Sequence, residues 1–188
     1  MNSRAASLAP LALMALLTAV TYWLYRVVQA DNPHGPLRHD PDYVVEQFKV
    51  RRFDLDGTLQ HTLYAEKMVH YPDDDTSLVT TPHLIYHRQP PTEVFARQAL
   101  VGRDGKEVDL IDEVRVIRQG LEGALPAVLE TRLLKVFPDD ETATTNTPVT
   151  ITKGQSIVHG SGLDLDNKTG ITTLHGRVTS TLYRNRSN

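Results

Sequence analysis

The stretch from Phe48 to Ala65, FKVRRFDLDGTLQHTLYA, decides the fold class. Phe48 and Val50 alternate with polar neighbours, and Phe53 and Leu55 continue in the opposite phase. A period of two marks a half-buried strand, and a change of phase marks a bulge, here at Arg51-Arg52. Asp56-Gly57 supplies the dipeptide that a tight hairpin turn needs. Beyond it Leu59, His61, Leu63 and Ala65 share one face of a second strand.

Outward from this hairpin, alternating or β-branched runs recur near 77–81, 83–87, 93–101, 107–118, 127–137, 148–152, 155–159, 162–166 and 171–183. Pro72-Asp73-Asp74-Asp75, Pro90-Pro91, Asp104-Gly105, Pro138-Asp139-Asp140 and Asn167-Lys168-Thr169-Gly170 separate them as turns. Leu129, Leu133, Val136 and Phe137 also fit a helical stripe, but Val128, Thr131 and the flanking prolines favour a strand. About ten to twelve short strands at such spacing predict an all-β sandwich or roll. Leu110-x-x-x-Val114, after a turn, recurs as Leu174-x-x-x-Val178. That repetition points to similar hairpin units stacked along one axis.

The amino-terminal part is different. Ala5 to Tyr25 is 21 residues without a charge, 17 of them apolar, between Arg4 and Arg26. As a helix it spans about 30 Å, the thickness of a bilayer's hydrocarbon core. Tyr22, Trp23 and Tyr25 gather at its end, where aromatic rings favour the headgroup level. The expectation is a short cytoplasmic tail over 1–7, a transmembrane helix over 8–28, a proline-rich linker over 29–41 and an exported domain over 42–188. Leu11, Leu13, Leu16, Leu17, Val20 and Trp23 form the anchor. The rival reading is a signal peptide cleaved after Val28-Gln29-Ala30, against which stand the length of the run and Arg26 close to the cut.

Of 188 residues, 20 are Lys or Arg and 23 Asp or Glu, a net charge of −3, which argues against a nucleic-acid binder with a basic footprint. No cysteine is present, so disulfides, thiolate metal sites and thiol nucleophiles are excluded. Without the apolar run the chain is only about 35% apolar, lean for a globular domain. The candidate chemistry is thin. His83-x-x-x-His87 has helical chelating spacing, but on a strand the two stand about 13 Å apart. Asp54-x-Asp56-Gly57 and Asp164-x-Asp166-Asn167 resemble parts of a calcium loop, yet Thr58 and Lys168 occupy the next ligand positions. Asp73-Asp74-Asp75 suits a solvated turn, and Gly160-Ser161-Gly162 lacks the strand–turn–helix context of a nucleophile elbow. The expectation is a non-enzymatic protein with no cofactor and no metal. A small core spread over two sheets can leave an inner apolar face as a groove for acyl chains. The alternatives are an anchored β scaffold and an anchored envelope hydrolase.

Several positions together resemble one family. Asp42-Tyr43, Phe48, Phe53-Asp54-x-Asp56-Gly57, Leu63-x-Ala65-x-x-Met68-x-His70-Tyr71-Pro72-Asp73-Asp74 and Pro82-x-Leu84 are similar to the LptC family of lipopolysaccharide export proteins of Gram-negative bacteria. Thr131, Leu133-Leu134, Phe137-Pro138-Asp139, Thr145, Pro148-Val149, Gly160-x-Gly162-Leu163 and Leu174-x-Gly176-x-Val178 continue the pattern. Phe95 stands where the family pattern leads one to expect tryptophan. The resemblance implies one inner-membrane helix and a periplasmic, elongated, open β-jellyroll with two antiparallel sheets in a V that holds lipid A acyl chains. It implies transfer of lipopolysaccharide from the LptB–LptF–LptG ABC transporter to LptA, with ATP hydrolysed on LptB. A soluble LptA-like carrier, after signal cleavage, is the alternative within the same fold. Alternation combined with the resemblance nominates Val50, Phe53, Leu63, Ala65, Val79, Leu84, Tyr86, Phe95, Leu110, Leu133, Ile171 and Leu182 for the lipid groove. The family further implies partner edges at Phe48, Lys49 and Val50, toward the transporter, and at Val178, Ser180 and Tyr183, toward LptA.

Overall fold

The computed structural model describes residues 3–30 and 39–183 except residue 122, with the side chains of the first helix described over 13–27. The chain divides into two units, 1–38 and 39–188. The first is one helix, α1 (Ser3–Ala30), which extends past the expected 8–28 at both ends. Thr18 and Thr21 donate their hydroxyls to Met14 O and Leu17 O at 2.8 Å, so both polar groups are met within the helix. Arg26 Nε–H donates to the Tyr22 hydroxyl at 3.2 Å. Leu13, Leu16, Leu17, Val20 and Trp23 are exposed, and the side chain of Leu11 lies outside the described residues. Among the described residues no helix is long and apolar enough to cross a membrane. Residues 31–38, most of the expected linker, also lie outside them.

The second unit is antiparallel β-structure. Its strands are β1 (Tyr43–Phe53), β2 (Leu59–Tyr71), β3 (Thr76–Thr80), β4 (His83–Tyr86), β5 (Thr92–Phe95), β6 (Gln98–Val101), β7 (Val108–Arg118), β8 (Ala127–Phe137), β9 (Thr142–Thr145), β10 (Val149–Lys153), β11 (Ser156–Gly160), β12 (Gly162–Asp166), β13 (Ile171–His175) and β14 (Thr179–Thr181). The pairing reduces them to a simple plan. Long β2 pairs β3 with one half and β4 with the other. Likewise β7 pairs β6 and β5, and β8 pairs β9 and β10. The described residues therefore form a meander of nine rungs, 43–53, 59–71, 76–86, 92–101, 108–118, 127–137, 142–153, 156–166 and 171–181, each hydrogen-bonded to the next.

Seven of the nine rungs are interrupted near the middle, while β2 and β8 run through unbroken. Positive φ at Gln47, Thr81, Asp112, Glu113 and Gly176 bends four of them, and β7 also shifts register between Ile111 and Val114. Ala96-Arg97, Asn146–Pro148 and Ser161 break three others. The interruptions align into a fold line that divides the meander into two leaves. Hydrogen bonding continues along it, as in Thr81 N–H to Arg97 O (2.8 Å), Arg97 N–H to Asp112 O (2.9 Å) and Ser161 N–H to His175 O (3.0 Å). Thr131, Thr145 and Thr147 fill it with a hydroxyl network, Thr131 and Thr145 each lying within 3 Å of the Thr147 hydroxyl. Buried polar backbone is thereby satisfied where the ladder changes direction.

The leaves face each other across a small core. One cluster joins Val79, Ala99, Leu110 and Leu134 of the first leaf to Val94 and Val116 of the second, around Ala65 and Val114 at the fold line. Another joins Leu163 and Leu174 to Leu129, Val149 and Ile151. The first and last rungs pair with no other strand on their outer sides, so among the described residues the roll is open.

These findings refine the sequence expectations. The hairpin bulge falls between Arg52 and Phe53, one step beyond Arg51-Arg52. Leu55 lies in the turn, fully exposed, and does not extend the strand. The run 93–101 is two strands in different leaves, and TATT at 142–145, unread as a strand, is β9. The segment 127–137 is β8. The repeated pairs Leu110/Val114 and Leu174/Val178 both straddle the fold line of their rungs.

Candidate functional site

The cross-strand register sorts side chains into rows, because residues directly opposite share a face. On the inner face of the first leaf one row runs Val45, Met68, Val79, Ala99, Leu110, Leu134. It continues to Leu163 and Leu174 through Thr145. On the second leaf the inner row is Val50, Leu63, Leu84, Val94, Val116, Leu129, Ile151, Val158. Apolar side chains thus line both leaves across nearly every rung.

The two rows differ in burial. Val79 is 2% exposed and Leu163 0%, whereas Val50 is 49% exposed and Leu63 and Leu84 are half-buried. The first leaf and the fold line close on themselves, and the second leaf keeps apolar surface open to the space between the leaves. Two residues further from the fold line the inner face of the second leaf changes character. Arg52, His61 and Tyr86 stand there in one row.

The outer ends of the leaves meet at one place. Arg88, after β4, donates from Nη1 to Glu141 Oε2 at 2.5 Å, Glu141 lying in the turn before β9. The guanidinium holds the Glu141 carboxyl below its ordinary range, and the carboxylate raises Arg88 in turn. Arg52, His61, Tyr86 and Arg88 on one side and Asp139 and Glu141 on the other enclose a polar cavity of about 220 Å³. Burial lowers His61 first, and the charges of Arg52, His87 and Arg88 lower it further. A second cavity of about 310 Å³ lies among β9, β12 and β13, with Phe137, Leu165 and Ile171 in its wall.

The nominated residues divide accordingly. Val50, Leu63 and Leu84 stand together on the open inner row. Ala65, Val79 and Leu110 also face inward but belong to the closed core. Tyr86 lies at the inner rim, and Phe53 shares the inward face of Leu59. Phe95 falls on the opposite face, one residue from inward Val94, where it stacks on His83 at 4.1 Å. Leu133 pairs with Ile111 on the outer face of the first leaf, one residue from inward Leu134. Ile171 pairs with Asp166, also out of phase with inward Leu165 and Thr172. Leu182 follows β14, exposed. Alternation could not place these because the phase resets at each fold line. Met68, Val94, Val116, Leu129 and Ile151 line the same faces and are absent from the groove residues nominated from sequence; their signal is register, not local pattern.

The partner-edge residues lie on the end rungs. Phe48, Lys49 and Val50 are in β1, Ser180 is in β14, Val178 precedes it and Tyr183 follows. The two metal-spaced histidines have separate partners, His83 with Glu93 and His87 with Thr62, both at 3.0 Å. His39, Asp73 and Asp74 bring ligand atoms within 4.8 Å of one another, but Asp73 already holds His39 Nδ1 at 3.0 Å. Sequence reading missed that group because 34 residues separate His39 from Asp73.

The chain matches the family model for lipopolysaccharide-assembly, LptC-related proteins over residues 11–184. No curated protein sequence matches it. Among solved structures it is similar to LptH of Pseudomonas aeruginosa, described as the LptA-homologous periplasmic component of the conserved lipopolysaccharide transport device. The TM-score is 0.50 at 7% identity, covering 79% of this chain and 100% of that one, a likeness of fold.

Proposed function

We propose, from the premise that this chain belongs to the LptC-related family of lipopolysaccharide-assembly proteins, that its β body carries lipopolysaccharide acyl chains between its two leaves. The observation that supports the reading is the unbroken inner row from Val50 to Val158 on the second leaf, apolar yet incompletely covered. Each methylene moved from water onto such a face contributes about 0.8 kcal/mol. The protein acts as a non-enzymatic conduit in the periplasm. It receives the lipid from the LptB–LptF–LptG transporter and delivers it to LptA, with the end rungs as the contact edges. The uncharged run Ala5–Tyr25 holds it in the inner membrane as a single-pass anchor, a reading supported by the exposure of Leu13, Met14, Leu16, Leu17, Val20 and Leu24 on α1.

Photo-crosslinking amino acids at Leu63, Leu84 and Val94, in cells with an active transporter, test the groove. Lipopolysaccharide adducts are expected from these and not from outward Phe95 or Ile85. Adducts from neither face, or equally from both, would overturn the assignment. The intact mass of the mature protein checks the anchor, which requires residues 1–30 to be retained.

A further inference from the structure

The inner face of the second leaf does not end where its apolar row ends. Two residues toward the open rim, the register aligns Arg52, His61, Tyr86, Thr92, Arg118, Ala127, Lys153 and Ser156. Three cations occur in this row and no carboxylate. Among the described residues Arg52, Arg118 and Lys153 make no ion pair. Asp54 and Asp56, the acids nearest Arg52 in sequence, accept from backbone N–H groups of their own turn. The opposing leaf ends in acidic turns, Asp73-Asp74-Asp75 and Pro138-Asp139-Asp140-Glu141.

We infer that the row Arg52–Arg118–Lys153 is a rail for the phosphate groups of an amphiphile whose acyl chains lie on the apolar row beside it. This rests on the groove reading above and adds the headgroup chemistry and its position. Along one face, from fold line to rim, the surface changes from aliphatic to cationic within two residues, about 7 Å. A lipid with phosphates beside its acyl chains matches that change in polarity, whereas a neutral lipid leaves three cations without partners. Arg88, beyond the row at the same rim, already holds an anion, the Glu141 carboxylate, in the cavity that also contains Arg52. Burial chiefly, and after it the charges of Arg52, His87 and Arg88, lowers the proton affinity of His61 in that cavity.

The test uses the full chain in nanodiscs and two ligands, lipid A and lipid A stripped of its phosphates, measured by equilibrium binding. The wild type is expected to favour the phosphorylated form by about tenfold or more, with the advantage shrinking as salt is raised. The variant Arg52→Gln/Arg118→Gln/Lys153→Gln should erase that preference and leave binding of the stripped form unchanged. Arg115→Gln, on the outer face of the same leaf, should change neither. Equal binding of both ligands by the wild type, or an undiminished preference in the triple variant, would overturn the rail. Competition by inorganic phosphate at millimolar concentration would assign the row to free anions and overturn the lipid source. Failure of both ligands to bind would instead remove the groove reading, and the rail with it.

Discussion

At the residue scale, His70 shows how the edge of the molecule is held. Its Nδ1 lies 2.7 Å from Asp42 and its Nε2 3.3 Å from Asp75, and carboxylates only accept, so this arrangement calls for a proton on both nitrogens. The hydrogen bond to Asp42 is the chief cause raising His70 above the ordinary histidine value, and the same bond lowers Asp42 below the ordinary carboxylate value. Tyr43 stacks on the His70 ring at 4.7 Å, so the imidazolium fastens the start of β1 to the second rung. A raised histidine contributes stability that is fully present below its unfolded value and is lost as pH rises through the folded one. A lowered aspartate contributes stability present above its unfolded value and lost as pH falls through the folded one. The fastening is therefore strongest between those limits. Hydrogen exchange at Val44 and Val45, corrected for intrinsic rate, should show protection that declines as pH rises above the ordinary histidine value of about 6.5. In His70→Gln that decline should vanish; an unchanged profile would show that the imidazolium does not hold the strand.

At the scale of the element, the interruptions that define the leaves carry backbone strain. Thr81 has φ +49°, a conformation that a β-branched residue adopts at a cost of about 1–2 kcal/mol. Asparagine enters that region more readily, so Thr81→Asn is expected to raise unfolding stability by about 1 kcal/mol in chemical denaturation, whereas Thr81→Val should lower it. Such interruptions explain what was legible beforehand. The hairpin at Asp56-Gly57 and strands such as 148–152 and 162–166 stood out because alternation and turn residues are local signals. The break at Ala96-Arg97 did not, since nothing in the sequence there resembles a turn, and without it Phe95 is assigned to the wrong face. TATT at 142–145 lacks large apolar residues because its core contribution, Thr145, is a hydroxyl that meets the fold-line network. The apolar and cationic rows exist only after nine rungs are in register, and no window of sequence contains them.

For the molecule as a whole, the decisive fact is that a nine-rung meander has two ends. A strand at the edge of a sheet presents unpaired N–H and C=O groups, a template for another chain. Here both end rungs also keep apolar residues exposed, Tyr43, Val44, Val50 and Phe53 on the first and Val178, Leu182 and Tyr183 around the last. The positions paired with the first set on the second rung, Leu59, Leu63, Val69 and His70, are half-buried, since that rung has a neighbour on both sides. Addition of a strand from another roll would satisfy the edge hydrogen bonds and cover these side chains together. It would also extend the apolar rows past the end of the chain, so a groove confined to one molecule would become continuous across the junction. A photo-crosslinker at Lys49 should accordingly capture a β-rich transporter component, and one at Ser180 should capture LptA, while Thr150, in the middle of the sheet, captures neither. Capture at both ends of the same partner would reverse the assignment of edges. Capture at Thr150 alone would show that docking uses a sheet face, and the continuous groove would then be lost.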